Sequence, residues 1–201
     1  LLPFLLLGKV PSRTLSKAGT TYIEHYSLWV LGMPYNYRNM AEVEERERAA
    51  KARRLSVALD RISFGCASLD LASRNREHAL DDAHIVTLAA ALASNTTVTE
   101  CNLEHNCITD DGAAVLATTV LECNVTLRTL NLSKNLIGKN GLASLERVLR
   151  GANTTLTSLD VSSMWETATW DRTPYVDTRI EQHLRRNRKI REALRSRFPC
   201  S

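Results

Sequence analysis

The chain has 201 residues, 44% hydrophobic and 24% charged, with a formal net charge of +4. That length holds one moderate domain with extensions, and the balance excludes a chain that is disordered throughout. Five cysteines, odd in number and irregular in spacing, exclude the patterned disulfide framework of a small secreted scaffold and fit a reducing, intracellular setting.

Residues 1–38 read as an N-terminal extension. Its opening LLPFLLLG is far shorter than the roughly 20 apolar residues that span a bilayer, so no transmembrane span is expected. From Leu1 to Ile23 there is no acidic residue, while Lys9, Arg13 and Lys17 are basic and Ser/Thr are frequent. That composition leans toward a mitochondrial targeting or matrix-facing segment, with a basic N-terminal arm in any compartment as the plainer reading. Tyr22, Tyr26, Trp29, Tyr35 and Tyr37 cluster here, and none of the eleven aromatic residues lies between Cys66 and Met164. Aromatic side chains give rigid anchoring area, which makes these five candidate partner contacts; covering the end of a core is their other use.

Residues 39–63 predict a capping helix. Asn39-Met40-Ala41-Glu42 has the form of a capping box. Glu44/Arg48 and Glu47/Lys51 then stand at helical i,i+4 spacing, and Leu55, Leu59 and Ile62 make an apolar stripe.

Residues 64–176 are organised by repetition. Val98–Thr126 and Leu127–Thr155 are two units of 29 residues that align without a gap. Leu127, Leu130, Leu132, Asn135, Ile137 and Gly141 fall on Val98, Cys101, Leu103, Asn106, Ile108 and Gly112. A partial copy begins at Leu156 with Leu159 and Val161. An earlier one runs through Cys66, Leu69 and Leu71, with Arg74 or Asn75 near the asparagine position. The L-x-L alternation predicts short strands, with Leu130 and Leu132 on one side and Asn131 on the other. Val115, Leu116 and Val120, then Leu142, Leu145, Val148 and Leu149, recur at helical spacing. Each unit thus has an apolar strand face and an apolar helix face that only stacking can bury. Four N-x-S/T sequons (Asn95, Asn124, Asn131, Asn153) are present. Three recur at one repeat position ahead of a strand, where an asparagine in the left-handed conformation would close each helix.

The pattern L-x-x-L-x-L-x-x-N-x-I followed by a helix resembles the leucine-rich-repeat family, in its long ribonuclease-inhibitor-like intracellular class. The resemblance covers about residues 64–163. It implies an α/β fold: a short solenoid of about four strand–helix units, a parallel sheet on the concave side, and helical caps. It also implies protein binding on the concave face. The outward positions there form columns: Asp70, Asn102, Asn131 and Asp160 in one, Glu100, Arg128 and Thr157 nearby, Glu104 with Ser133, His105 with Lys134. The candidate contacts are Glu100, Asn102, Glu104, His105, Arg128, Asn131, Lys134 and Asp160; an ordinary solvated face is the plainer reading.

Residues 177–201 predict a basic C-terminal helix with eight Lys/Arg against three Asp/Glu. Ile180, Leu184, Ile190 and Leu194 are spaced for one buried side, and Asn187-Arg188-Lys189-Ile190 echoes the repeat's asparagine. Arg185, Arg186, Arg188, Lys189, Arg191 and Arg195 could meet RNA phosphates, an acidic protein surface or anionic lipid; a solvated helix face is the commonest use of such a run.

Catalytic signatures are missing: no Walker loop, no G-x-G-x-x-G and no G-x-S-x-G occurs. Cys101-x-x-x-His105-x-Cys107 supplies metal-ligand residue types, but Cys101 falls on an inward leucine position and the three cannot converge. No cofactor and no small-molecule substrate are expected. The sequence points to a non-catalytic scaffold subunit of a larger intracellular assembly, mitochondrial in preference to cytoskeletal, with other protein subunits as partners. A ribonucleoprotein component using the basic helix, or a regulatory adaptor using the concave face, are the alternatives.

Overall fold

The computed structural model describes residues 37–73, 75, 78–151, 153–162 and 174–197, with side chains from Ala41 and Thr178 onward in its first and last helices. The chain divides into two compact units, Leu1–Glu44 and Glu45–Ser201, and the account below concerns the second. Tyr22, Tyr26, Trp29 and Tyr35 lie outside the described residues, as do Trp165 and Trp170; of Tyr37 only the backbone is described.

Helix α1 spans Tyr37–Ser63, opening two residues before the Asn39–Glu42 box. Its end is a glycine-dependent stop. Gly65 has φ +82°, its N–H donates to the Ile62 carbonyl at 3.2 Å, and Cys66 N–H donates to the Arg61 carbonyl at 3.1 Å. This crossed pair satisfies carbonyls the helix leaves open, and a side chain at residue 65 would strain it. Near that end Ala58 and Ile62 are buried in the core, with Leu55 packed against it.

Strand and helix then alternate: β1 (Ser68–Asp70), α2 (Asp82–Ala93), β2 (Glu100–Asn102), α3 (Asp110–Val115, continuing as a π-helical stretch over Leu116–Leu121), β3 (Thr129–Asn131), α4 (Lys139–Gly151) and β4 (Ser158–Asp160). The strands form one parallel sheet in the order β1-β2-β3-β4. Leu69, Cys101, Leu130 and Leu159 share one row, and Asp70, Asn102, Asn131 and Asp160 the next. Hydrogen bonding continues past each strand: Leu103 N–H donates to Asn131 O at 2.8 Å and His105 N–H to Ser133 O at 3.0 Å, with equivalents one repeat on.

Most of the predicted apolar positions fill the core, joined by Ile85 and Leu88 of α2, while Val115 is only partly buried. Leu69, Leu103, Leu130 and Leu132 from the strand segments meet Ile85, Leu88, Leu116, Leu145 and Leu149 from the helices, all fully buried. Each such side chain contributes about 1.5–3 kcal/mol by leaving water. Leu159 in β4 is only half-buried.

Two asparagine series join the units. Asn106 donates to the carbonyls of Leu103 and, one repeat back, Leu71, both at 2.9 Å; Asn135 does the same to Leu132 at 3.0 Å and Leu103 at 2.9 Å. The sequon asparagines form the second series, and here the expected conformation is not found. Among the described residues the non-glycine positions with positive φ are His105 and Lys134, not Asn95, Asn124 or Asn153. Instead Asn124 Oδ1 accepts from the N–H groups of Thr126 and Leu127 at 2.8 and 2.7 Å, while its amide donates to Leu92 O at 2.6 Å. Asn153 repeats the arrangement with Thr155, Leu156 and Leu121 O. The side chain ends the helix by bonding, so the backbone has no need of the left-handed region.

The last helix, α5 (Pro174–Arg197), begins three residues before the predicted Asp177. Pro174 suits a first helical position, where its fixed φ helps and its missing N–H is not needed. Ile180 and Leu184 are buried as expected, but Ile190 and Leu194 are exposed. Helical geometry explains Ile190, which turns away from the line through Ile180, Leu184, Asn187 and Arg191, whereas Leu194 stays near that line and is nonetheless exposed.

Candidate interaction surface

The solvent side of the sheet is built by the strands' second outward row. Asp70, Asn102, Asn131 and Asp160 stand in register, as the repeat alignment predicts. Each uses Oδ1 to accept the N–H two residues on: Ala72 at 3.1 Å, Glu104 at 3.1 Å, Ser133 at 2.9 Å and Ser162 at 2.9 Å. This local turn fixes χ1 of every member. Asn102 also donates to Asp70 Oδ1 at 3.0 Å. The outcome is an ordered polar row rather than a set of mobile side chains.

Other expected groupings change. Glu100 is in register with Thr129 and Ser158, so Arg128 and Thr157 stand one residue before its row. Ser133 is buried, its hydroxyl donating to Asn131 Oδ1 at 2.7 Å, and does not face solvent beside Glu104. Glu104 is met instead by Lys134, whose Nζ lies 2.6 Å from Glu104 Oε1. His105 and Lys134 occupy the same repeat position with φ 58° and 56°, a backbone state that throws both side chains to the rim.

Of the basic-helix residues, Arg186 is not available to a phosphate. Its guanidinium donates to the carbonyls of Leu149 at 2.6 Å, Arg150 at 2.9 Å and Asn153 at 3.0 Å. Beside it Asn187, fully buried, donates to Asn153 O at 3.2 Å and Leu156 O at 2.8 Å. Arg188 donates to Thr157 O at 2.8 Å and to Glu181, which also takes Arg185 at 3.0 Å. Burial would raise the Glu181 carboxyl, but the hydrogen bonds from Arg185 and Arg188 hold it below the usual range. Lys189 and Arg195 are exposed and Arg191 half-exposed.

Arg54 of α1 was not indicated by the sequence as a functional residue. It donates to the carbonyls of Leu71 and of Ala72 (2.7 Å), and to that of His78 at 2.6 Å. Asn106 and Asn135 serve the carbonyls equivalent to Leu71 and Ala72 in their own repeats. Arg54 therefore gives the first copy's Leu71 and Ala72 carbonyls the kind of contact that Asn106 and Asn135 give theirs. No sequence signal separates it from its charged neighbours Arg53 and Lys51.

Cys101 is in the core, and burial, then the nearby Cys66 and Asp70, push its thiol up to about 12. Among the described residues no cluster of three or more His, Cys, Asp or Glu could hold a metal ion, and no helix is long and apolar enough to cross a membrane.

The Leucine Rich repeat pattern matches residues 94–117, 123–145 and 152–163. Those segments are leucine-rich repeats. Comparison with curated proteins gives no match. Among solved structures, the chain is similar to "Leiomodin-1 Actin-Binding Site 2 (ABS2)", at 18% identity and a TM-score of 0.50, over 72% of this chain and 96% of that one. It is also similar to a tropomodulin C-terminal domain from Caenorhabditis elegans, at 14% identity and a TM-score of 0.46, over 70% and 97%. These likenesses concern the fold.

Proposed function

We propose that this chain is a non-catalytic scaffold that docks a protein partner on the solvent side of its sheet, in a cytoskeletal rather than a mitochondrial setting. The observation that carries the reading is the fixed polar row Asp70–Asn102–Asn131–Asp160, whose side chains are already ordered in the free chain. A preordered row loses little conformational freedom on binding, which favours recognition of a folded partner. The cytoskeletal setting is supported by the likeness in fold to an actin-binding region of leiomodin-1, which makes actin the first candidate partner. The sequence-based preference for a mitochondrial setting drew on residues 1–23, which lie outside the described residues, and the likeness in fold favours the cytoskeletal one. The RNA reading loses weight because Arg186 is turned into the fold.

Co-sedimentation of the full chain with actin filaments tests this. Binding should weaken by about ten-fold, or about 1.4 kcal/mol, when Asn102 and Asn131 are both changed to Ala. Absence of binding, or binding indifferent to that change, overturns the reading.

A further inference from the structure

The packed line of α5 changes character along its length. Ile180, Leu184 and Asn187 are buried against the solenoid. Past Asn187 the same side of the helix carries Arg191, half-exposed, and then Leu194 and Arg195 to either side of its line, both exposed. Arg191 and Arg195, with Arg128, Arg188, Glu100, Glu192 and three threonines, line an open cleft of about 430 Å³ beside the leading ends of the strands.

Four arginines in one cleft repel one another. The Arg128 guanidinium is held below its ordinary value by partial burial and then by the charges of Arg191 and Arg195. Two of the four have partners: Arg128 donates to Thr155 O at 3.2 Å, and Arg188 to Thr157 O and Glu181. An anionic ligand would relieve this repulsion. The two carboxylates identify which kind of anion. Glu100 and Glu192 can only accept hydrogen bonds, and a nucleic-acid strand, although its hydroxyls and bases carry donors, brings a repelling charge at every phosphate. A polypeptide brings both needed features, acidic side chains for the arginines and backbone N–H groups for the glutamates.

We propose that this cleft binds an acidic segment of a partner polypeptide, with Arg191 and Arg195 as its principal carboxylate contacts. The proposal deepens the scaffold reading and rests on it: it gives the partner a second, charged point of attachment apart from the polar row.

Fluorescence anisotropy of the full chain with a labelled peptide of alternating Glu and Ser is the test, at physiological salt. Binding should be measurable, should fall by about ten-fold in the R191A/R195A variant, and should weaken as salt rises. The N102A/N131A variant should bind the peptide as the parent does, which separates failure of the cleft from failure of the polar row. A labelled oligoribonucleotide carrying the same number of charges should bind more weakly than the peptide. Because Arg191 and Arg195 have side chains outside the core, unchanged thermal melting serves as the folding control. Peptide binding that is absent or indifferent to R191A/R195A overturns the proposal, as does tighter binding of the oligoribonucleotide.

Discussion

A buried amide side chain is stable only when its donors and acceptor are all met, and the asparagines of this solenoid meet that demand by joining one repeat to the next. Asn124 and Asn153 are almost wholly buried and bond both to their own turn and to the repeat before. Their amide nitrogens are the atoms a glycan would occupy. The sequence showed where these residues recur but not how they act, because asparagine serves a left-handed cap and a side-chain turn equally well. Glycine at the helix starts has a packing cause of the same kind. A Cβ on Gly141 would lie 2.7 Å from Asp110 Oδ1, the oxygen that accepts the Gly138 and Gly141 N–H groups. At Cys101 the environment makes a chemical prediction. A thiol pushed up to about 12 holds almost no thiolate at neutral pH, whereas Cys123 is exposed. Brief iodoacetamide treatment of the native chain should label Cys123 and leave Cys101 intact, with Cys101 labelled only after denaturation, as read by peptide mass spectrometry. Equal labelling in the native chain would contradict the buried placement.

At the scale of elements, an open solenoid end leaves carbonyls that the missing neighbour would have served. Arg54 from α1 fills this need at the first repeat, and Arg186 from α5 at the last. Both helices were legible in the sequence, from apolar spacing and charge patterns, though each begins two or three residues before its expected start. The arginines within them were not, since a guanidinium reaching five or six ångströms back to a carbonyl leaves no periodic trace. Changing Arg186 to Ala removes hydrogen bonds from a charged donor to Leu149, Arg150 and Asn153. It should cost about 2 kcal/mol and lower the melting temperature by about 4–8 °C. Arg191→Ala, by comparison, should change stability by less than about 0.5 kcal/mol. Differential scanning calorimetry of the two variants distinguishes them, and equal effects would mean that Arg186 is only a surface charge.

For the molecule as a whole, the two adjacent units of 29 residues, with the partial copies on either side, predict a parallel sheet of about four strands, and their offset gives the register of β2, β3 and β4. The surface was less legible. Pairing Glu100 with Arg128 missed the true register by one residue, although the 29-residue offset itself sets Thr129 against Glu100, and the α5 apolar stripe was misjudged where Ile190 and Leu194 are exposed. Inward positions are dictated by burial and therefore repeat, while outward positions answer only to a partner, which the sequence of one chain does not contain. The scaffold account turns on whether the polar row is that partner's landing place. A photo-crosslinking residue placed at Asn131 tests this, with one at exposed Val86 on α2 as control. With actin as the bound protein, the account predicts a crosslink from position 131 and none from position 86; a crosslink from position 86 alone, or from neither, would contradict it.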